Sequence, residues 1–430
     1  MIYPQPARLP PSLYAETARP PVATPALDGD RRVACAIIGG GFTGLSAALH
    51  LAEKGVDAIV LEAREPGWGA SGRNGGQVNP GLKHDPDRIE RDFGPDLGSR
   101  MVALSWNAPT VVFDLIRRHQ IACEARQAGT LRAAFDKRHA AEIRVSFEQG
   151  QRRGMPVELL EGETLRAATG TGRYLAAMLD RRGGHVNPLG YARGLADAAL
   201  RAGARIYGGT PAHILSREGS VWRIQTPTGN VRAERVVLAT NAYTDGLWPG
   251  LSRSVVPVYS GIVASESLSD DLARGIMPGR ASLYEVAGIT TYYRLDSSNR
   301  LLMGGRSPLR EIEAPGELDY LRRYAHRLFP ALDGIGWSHG WSGQLAITPS
   351  HYPHIHEPAD GVIACLGYNG RGVAMATVMG QEIARRVEGG RSVDIDMPIT
   401  TLKEIPFHGL WRIGVGLRVL YGRIRDRLGI

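Results

Sequence analysis

Three glycines constrain this chain more than any other feature. Val33–Ile38 is an unbroken apolar run, Gly39, Gly41 and Gly44 follow it, and Leu45, Ala48, Leu49 and Ala52 then recur at helical spacing. A second apolar run, Ala58–Leu61, ends at Glu62, 21 residues past Gly41. Strand, tight turn, helix, strand and terminal acid, in that order, make a dinucleotide-binding unit. Gly39 suits the turn, Gly41 lets the backbone approach a pyrophosphate, and Gly44 lets helix and strand pack closely. Phe42 and Thr43 open the helix, whose free N–H groups and dipole favour phosphate. Glu62, followed by Ala63, stands where an acid accepts ribose hydroxyls. By itself the stretch says dinucleotide and no more.

The next segment narrows the ligand. Eight of the fifteen residues in GWGASGRNGGQVNPG are Gly, Ala or Ser, so side chains are kept away from something flat, or the chain turns sharply. Ala70, Ser71, Gly75 and Gly76 supply the small residues. Arg73, Asn74 and Gln77 supply the polar ones. A second glycine corner, Gly367–Gly372, follows the apolar run 361–366 and opens a helix near Val373. That helix start would favour negative charge at a ligand ring.

These residues carry a resemblance. GGGFTGLSAALHLAEKG, LEAREPGWGASGRNGGQ and GYNGRGVAMATVMGQEIA together resemble the FAD-dependent D-amino acid oxidase superfamily, and within it the gamma-glutamylputrescine oxidase branch. The likeness runs from about residue 10 to 400, including PPSLYAETA in the N-terminal arm. It implies that residues 70–77 run under the diphosphate and along the flavin, and that Gly370, Arg371, Gly372 and Val373 meet the ring. It also implies that Ala212 reads the adenine and that Thr240 and Asn241 form a corner beside the cofactor. Where the family often has histidine, Arg371 stands; a fixed cation there would raise the flavin potential. Some relatives attach flavin through a cysteine near residues 341–349; none lies there, so FAD is expected to be non-covalent.

Fold class follows: α/β, a Rossmann-like FAD-binding domain with an interleaved α+β substrate domain built on an antiparallel sheet. At 430 residues the chain exceeds one hydrophobic core. The expected FAD-binding domain is 31–85, 181–250 and 335–392, and the substrate or cap domain is 86–180 and 251–334. Residues 1–30, with seven prolines, read as an extended arm, and 393–430 as a basic amphipathic tail. Residues 86–180 read as mainly helical, with helices over 96–120 and 137–153. Strands are expected at 205–207, 211–216, 221–226, 231–239, 255–264, 282–286, 289–295 and 300–304.

Strand alternation puts Tyr292 and Arg294 on one face and Thr291 and Tyr293 on the other. Tyr292 and Arg294 from this strand, Arg73 from the small-residue loop, and Trp341 from a segment that resembles the family's return to the cofactor are expected to line the substrate pocket. Arg294 and Arg306 are candidates for gripping a carboxylate, because a guanidinium does so bidentately. His185 reads as a loop histidine rather than a catalytic one.

Other classes fit less well. Net charge is +8, but the positives are scattered arginines without interleaved aromatics, so nucleic acid is not an expected partner. The basic balance suits an anionic cofactor. Cys35, Cys123 and Cys365 form no CxxC and read as reduced thiols of a cytoplasmic protein. His351, His354 and His356 lack a completing acid or thiol, so no metal is expected. In the tail, Leu410, Ile413, Leu417, Leu420, Tyr421, Ile424 and Leu428 share one helical face, with arginines off it. Such a helix suits an anionic membrane surface, but an apolar stripe more often faces a core, and packing on the body is expected.

The expected activity is hydride transfer to FAD from the carbon of a primary or secondary amine, such as a gamma-glutamylated diamine. The imine then hydrolyses to an aldehyde, and O2 or another acceptor takes the electrons. The alternatives are a D-amino acid or sarcosine/glycine-type oxidase or dehydrogenase, and a flavin-binding protein without turnover.

Overall fold

Two eight-stranded sheets make up the computed structural model, which describes residues 8–287, 290–390 and 394–417. The first sheet has the order His354–Ala359, Val362–Leu366, Gly229–Leu238, Arg31–Ile38, Ala58–Leu61, Arg205–Tyr207. Arg31–Ile38 runs parallel to both neighbours. It is buried where it meets them, which explains why its sequence is continuously apolar rather than alternating. Val221–Thr226 and Ile214–Glu218 add an antiparallel extension. Helices Phe42–Glu53, Pro188–Arg201 and Gly372–Gly389 pack together around Leu45, Leu49, Tyr191, Leu195, Met375 and Met379. At Gly44 any Cβ would overlap the carbonyl of Gly39, so the helix can begin this close to its turn only with glycine.

The second sheet has the order Trp337–Ile347, Val256–Ser265, Leu301–Arg306, Tyr292–Leu295, Ser282–Glu285, Thr130–Ala134, Ala176–Asp180, Val157–Glu161. Its pairs are antiparallel except Ser282–Glu285 with Thr130–Ala134. Leu283, Tyr293 and Met303 pack with Leu321 and Phe329 from the segment carrying helix Asp319–Leu328. Tyr292 is outside that core.

Four expectations change. Residues 86–180 contain the helices Pro95–Arg118 and Lys137–Arg152, but also three strands of the second sheet. Those strands are five residues each, and none shows a two-residue alternation strong enough to stand out. Trp337–Ile347 belongs to the second sheet, not with the FAD-binding strands, because it pairs with Val256–Ser265 along its length. The arm is not wholly extended: Leu13–Thr17 is helical, capped by the Ser12 hydroxyl, which accepts from the Ala15 N–H. Leu13 and Tyr14 are buried, and Tyr14 meets Trp341 edge-on at 5.0 Å. Finally, the strand placed at 211–216 is Ile214–Glu218, leaving Ala212 in the loop before it.

Candidate functional site

The first turn is held from two sides. Gly39 has φ +109°, and a Cβ there would sit 2.9 Å from the Ala239 carbonyl oxygen. Glu62 Oε2 accepts from the Gly40 N–H at 2.6 Å and Oε1 from the Arg64 N–H at 2.8 Å. Burial raises the Glu62 pKa, partly offset by those two donors. The Ser71 hydroxyl accepts from the Phe42 N–H at 3.0 Å, joining the following loop to the helix start. Thr43 hydrogen-bonds the hydroxyl of Tyr368 at 2.5 Å.

The small-residue loop is self-bracing. Ala70–Gly72 is a single 3-10 turn. Asn74 Nδ2 donates to the carbonyls of Ala70 and Ser71, and its Oδ1 accepts from the Gly76 N–H at 2.8 Å. Gln77 Nε2 donates to the Leu283 carbonyl at 2.8 Å and ties the loop to the second sheet. Arg73 is 2% exposed, donates to the Trp68 carbonyl and pairs with Glu311 at 3.0 Å, with its guanidinium 4.3 Å from the Trp68 ring centre.

Tyr292 is wedged between two glycines. A Cβ on Gly75 or on Gly304 would overlap its ring. Its hydroxyl shares a hydrogen bond with Ser260 at 3.0 Å, and burial raises its pKa.

One cavity of about 1360 Å³ joins these pieces. Gly39, Gly41, Phe42, Thr43, Glu62 and Ala63 line it on the first sheet, with Ala212, Thr240 and Asn241 beside them. Ala70, Ser71, Arg73, Asn74, Gly75 and Gln77 line its middle, and Gly370, Arg371, Gly372 and Val373 the second corner. Tyr292 and Arg306 reach it from the second sheet. Asn241 has φ +46° and its Oδ1 accepts from the Gly367 N–H at 2.9 Å, so this asparagine links the two corners.

Four expected residues do not reach the cavity. Gly44 is consumed by packing of the helix on its turn, and Gly76 by close approach to Val186. Arg294 is buried, and its donors go to the carbonyls of Gly75 at 2.9 Å and Val186 at 3.2 Å and to the Tyr14 hydroxyl at 3.2 Å. It clamps the loop rather than lining the pocket. Trp341 is fully buried against Tyr14, with its indole N–H donated to the Arg73 carbonyl. Alternation alone cannot say that the loop, and not the pocket, covers this face.

His185 pairs with Gln77 in a two-stranded ribbon and is not among the residues that line the cavity; burial, then Arg294, hold its pKa well below the usual range. Asn187 caps helix Pro188–Arg201 by accepting from the Gly190 N–H. His356 meets the Thr400 carbonyl and His354 the Ser350 hydroxyl. In the tail, Phe407, Leu410, Ile413 and Leu417 are exposed instead of packed on the body, although residues 405–415 contribute to the cavity wall. Leu420, Tyr421, Ile424 and Leu428 lie outside the described residues. Among the described residues, no helix is long and apolar enough to cross a membrane.

Three lining residues gave no signal of their own in the sequence: Lys83, Arg132 and Tyr284. Arg132 and Tyr284 sit on strands whose pairing joins distant parts of the chain.

The model of the FAD dependent oxidoreductase family matches residues 34–386. The chain belongs to this family. It is 34% identical to gamma-glutamylputrescine oxidoreductase of Escherichia coli (strain K12) over 92% of this chain and 93% of that one. Glycine oxidase of Geobacillus kaustophilus (strain HTA426) is 27% identical over 82% of this chain and 92% of its own. Among solved structures, glycine oxidase from Geobacillus kaustophilus superposes with a TM-score of 0.73 at 23% identity, covering 87% of this chain and 99% of that one, a likeness of fold. As a family member the chain is an FAD-dependent oxidoreductase. Its residues fit FAD: a carboxylate at the second strand's end, a turn without side chains, and a cavity long enough to continue past a small-residue loop. The Arg73 Nη2 and Arg371 Nη1 nitrogens are buried there without protein partners.

Proposed function

We propose that this oxidoreductase breaks a C–H bond next to the nitrogen of a primary or secondary small-molecule amine, of the gamma-glutamylputrescine kind, giving an imine that water converts to an aldehyde. One observation carries the reading: a single cavity connects the Gly39 turn and Glu62 to the Tyr292 side of a separate sheet. Cofactor and substrate elements thus share one continuous space, as a two-reactant redox site requires.

FAD, when bound, supplies the acceptor for the hydride. The chain's residues would hold it non-covalently: Glu62 at the ribose, the Gly41 and Thr43 N–H groups at the pyrophosphate, and the 70–77 loop with Gly370–Val373 about the ring. Cys35, Cys123 and Cys365 are buried with thiol pKa values pushed up to about 12, so none is a ready nucleophile for a flavin link. Tyr292 would form one wall and exclude water from the reacting carbon. No residue is required to take the C–H hydrogen as a proton if it leaves as hydride; the amine need only arrive neutral.

An alpha-amino acid substrate would need an arginine beside the ring. Arg294 spends its donors on the loop and so is not that arginine; Arg306 and Arg371 do line the cavity.

The test is anaerobic bleaching of the purified yellow protein by gamma-glutamylputrescine, putrescine, glycine, sarcosine and D-alanine. Fast bleaching by the glutamylated diamine supports the proposal. Bleaching by the amino acids alone moves the chain to the glycine-oxidase type. No bleaching by any of them leaves a flavin-binding protein without turnover. Peroxide formed in air would show O2 as acceptor.

A further inference from the structure

The cavity's second-sheet end carries unmatched positive charge. Arg132 and Tyr284 are register partners on adjacent parallel strands, so their side chains leave the same face side by side. From the Gly370–Gly372 corner, Arg371 Nη2 donates to the Tyr284 hydroxyl at 2.8 Å, and its guanidinium lies 4.5 Å from the Tyr284 ring centre. Lys83, just beyond the small-residue loop, lines the same space. Strand, loop and helix corner thus bring three cations around one phenol.

The charges do not cancel within the protein. Arg132 is matched by Asp85 at 2.5 Å and also donates to the Ser146 hydroxyl. The carboxylates on that stretch of wall are engaged: Asp136 meets His139 Nδ1 at 2.6 Å, Glu142 pairs with Arg138 at 3.4 Å, and Glu285 accepts from the Tyr174 and Tyr324 hydroxyls. Lys83 makes no hydrogen bond or ion pair among the described residues. Arg371 Nη1 is buried and unpaired. Lys83 is therefore left facing the cavity without a protein partner among the described residues, beside the Arg371 charge. Lys83 is exposed where it lines the cavity; desolvation by the surrounding walls, then the Arg371 and Arg132 charges, lower its pKa with no acid to offset them.

We propose that Lys83 and Arg371, with the Tyr284 hydroxyl and the Arg132 charge behind them, bind a carboxylate carried by the substrate away from the nitrogen being oxidised. The proposal rests on the amine-oxidising reading of the cavity and narrows it: the substrate class is an amine with a remote anionic head. An ammonium, a guanidinium edge and a phenol together suit the two oxygens of a carboxylate. An uncharged N-acyl diamine would leave the cations unmatched, and a site built for a charged group rejects a ligand that lacks it.

The experiment compares gamma-glutamylputrescine, which has both carboxylate and amine, with N-acetylputrescine, which has the amine alone. A third probe, gamma-glutamylbutylamide, keeps the glutamyl head with its carboxylate but lacks the terminal amine to be oxidised. In Lys83→Met holoenzyme, the ratio of kcat/KM for the first over the second should fall about 10- to 100-fold, the range for losing one charge-assisted contact. Binding of gamma-glutamylbutylamide, read by calorimetry, should weaken by a similar factor. Lys83→Arg should restore most of both. Arg371→Met should lower the same ratio.

An unchanged ratio in Lys83→Met overturns the proposal, as does an equal loss on both substrates. So does a Lys83→Met change confined to the flavin spectrum or potential, which would assign the cation to the cofactor. If no amine bleaches the flavin, the functional reading fails, and calorimetry with gamma-glutamylbutylamide still decides whether the pocket takes a carboxylate.

Discussion

The indole N–H of Trp341 donates to the carbonyl oxygen of Arg73 at 2.9 Å, joining the longest strand of the second sheet to the loop after the first βαβ unit. Both residues are almost wholly buried. Trp341→Phe keeps an aromatic filler but leaves that carbonyl without its donor. An unsatisfied buried acceptor costs about 1–3 kcal/mol. Thermal unfolding followed by flavin fluorescence should show release several degrees earlier than in the wild type. An unchanged profile would mean that the loop does not depend on this sheet.

Arg294 acts on the same loop from strand Tyr292–Leu295 of the second sheet. It donates to two loop-region carbonyls and to Tyr14, which also packs on Trp341. Arg294→Met should therefore lower FAD affinity at least tenfold in equilibrium dialysis, because a group acting through the loop shows itself in cofactor retention. Arg294→Lys should rescue little, since one ammonium cannot reproduce the planar fork. A variant that holds FAD normally but loses affinity for carboxylate substrates would return Arg294 to the substrate.

Tyr292 owes its position to two missing side chains. In Gly304→Ala the new methyl overlaps the ring, which is already confined by Gly75 on its other side. Overpacking of this kind costs about 1–3 kcal/mol and should also disturb the cavity wall. Gly304→Ala with Tyr292→Leu should recover stability that neither the alanine alone nor simple addition of the two effects explains. Additive melting temperatures would show that the ring yields freely.

The parts legible in the sequence were those whose chemistry is local. Gly39, Gly41, Gly44 and Glu62 announce their turn because the constraint and the residues meeting it lie within one βαβ unit. Thr130–Ala134 was not legible. It is made a strand by pairing with Ser282–Glu285, some 150 residues away, and TLRAA has no strong preference of its own. Arg294 and Trp341 show a subtler failure. Alternation gave one face for Tyr292 and Arg294; Tyr292 reaches the cavity from it, whereas Arg294 is covered by the loop of residues 73–76 and by Tyr14. Lys83 carried no pattern at all; only folding sets it opposite Arg371.

That placement makes activity depend on pH in a stated direction. Desolvation by the cavity walls, then the Arg371 and Arg132 charges, lower the Lys83 pKa to about 8 although the side chain is exposed in the cavity; no acid is among the charges acting on it. If it holds the substrate carboxylate, KM for gamma-glutamylputrescine should be level below about pH 7 and rise as pH passes 8, while KM for N-acetylputrescine should not follow that course. The unfolded chain keeps this proton up to its ordinary pKa of 10.5, so the unliganded protein binds fewer protons folded than unfolded between about 8 and 10.5. Lys83 therefore destabilises the fold at neutral pH, and that penalty fades as pH rises through the window. A bound carboxylate reverses the sense by raising the folded pKa. Lys83→Arg, charged throughout, should flatten the KM profile; a rise that persists in it would place the titrating group elsewhere.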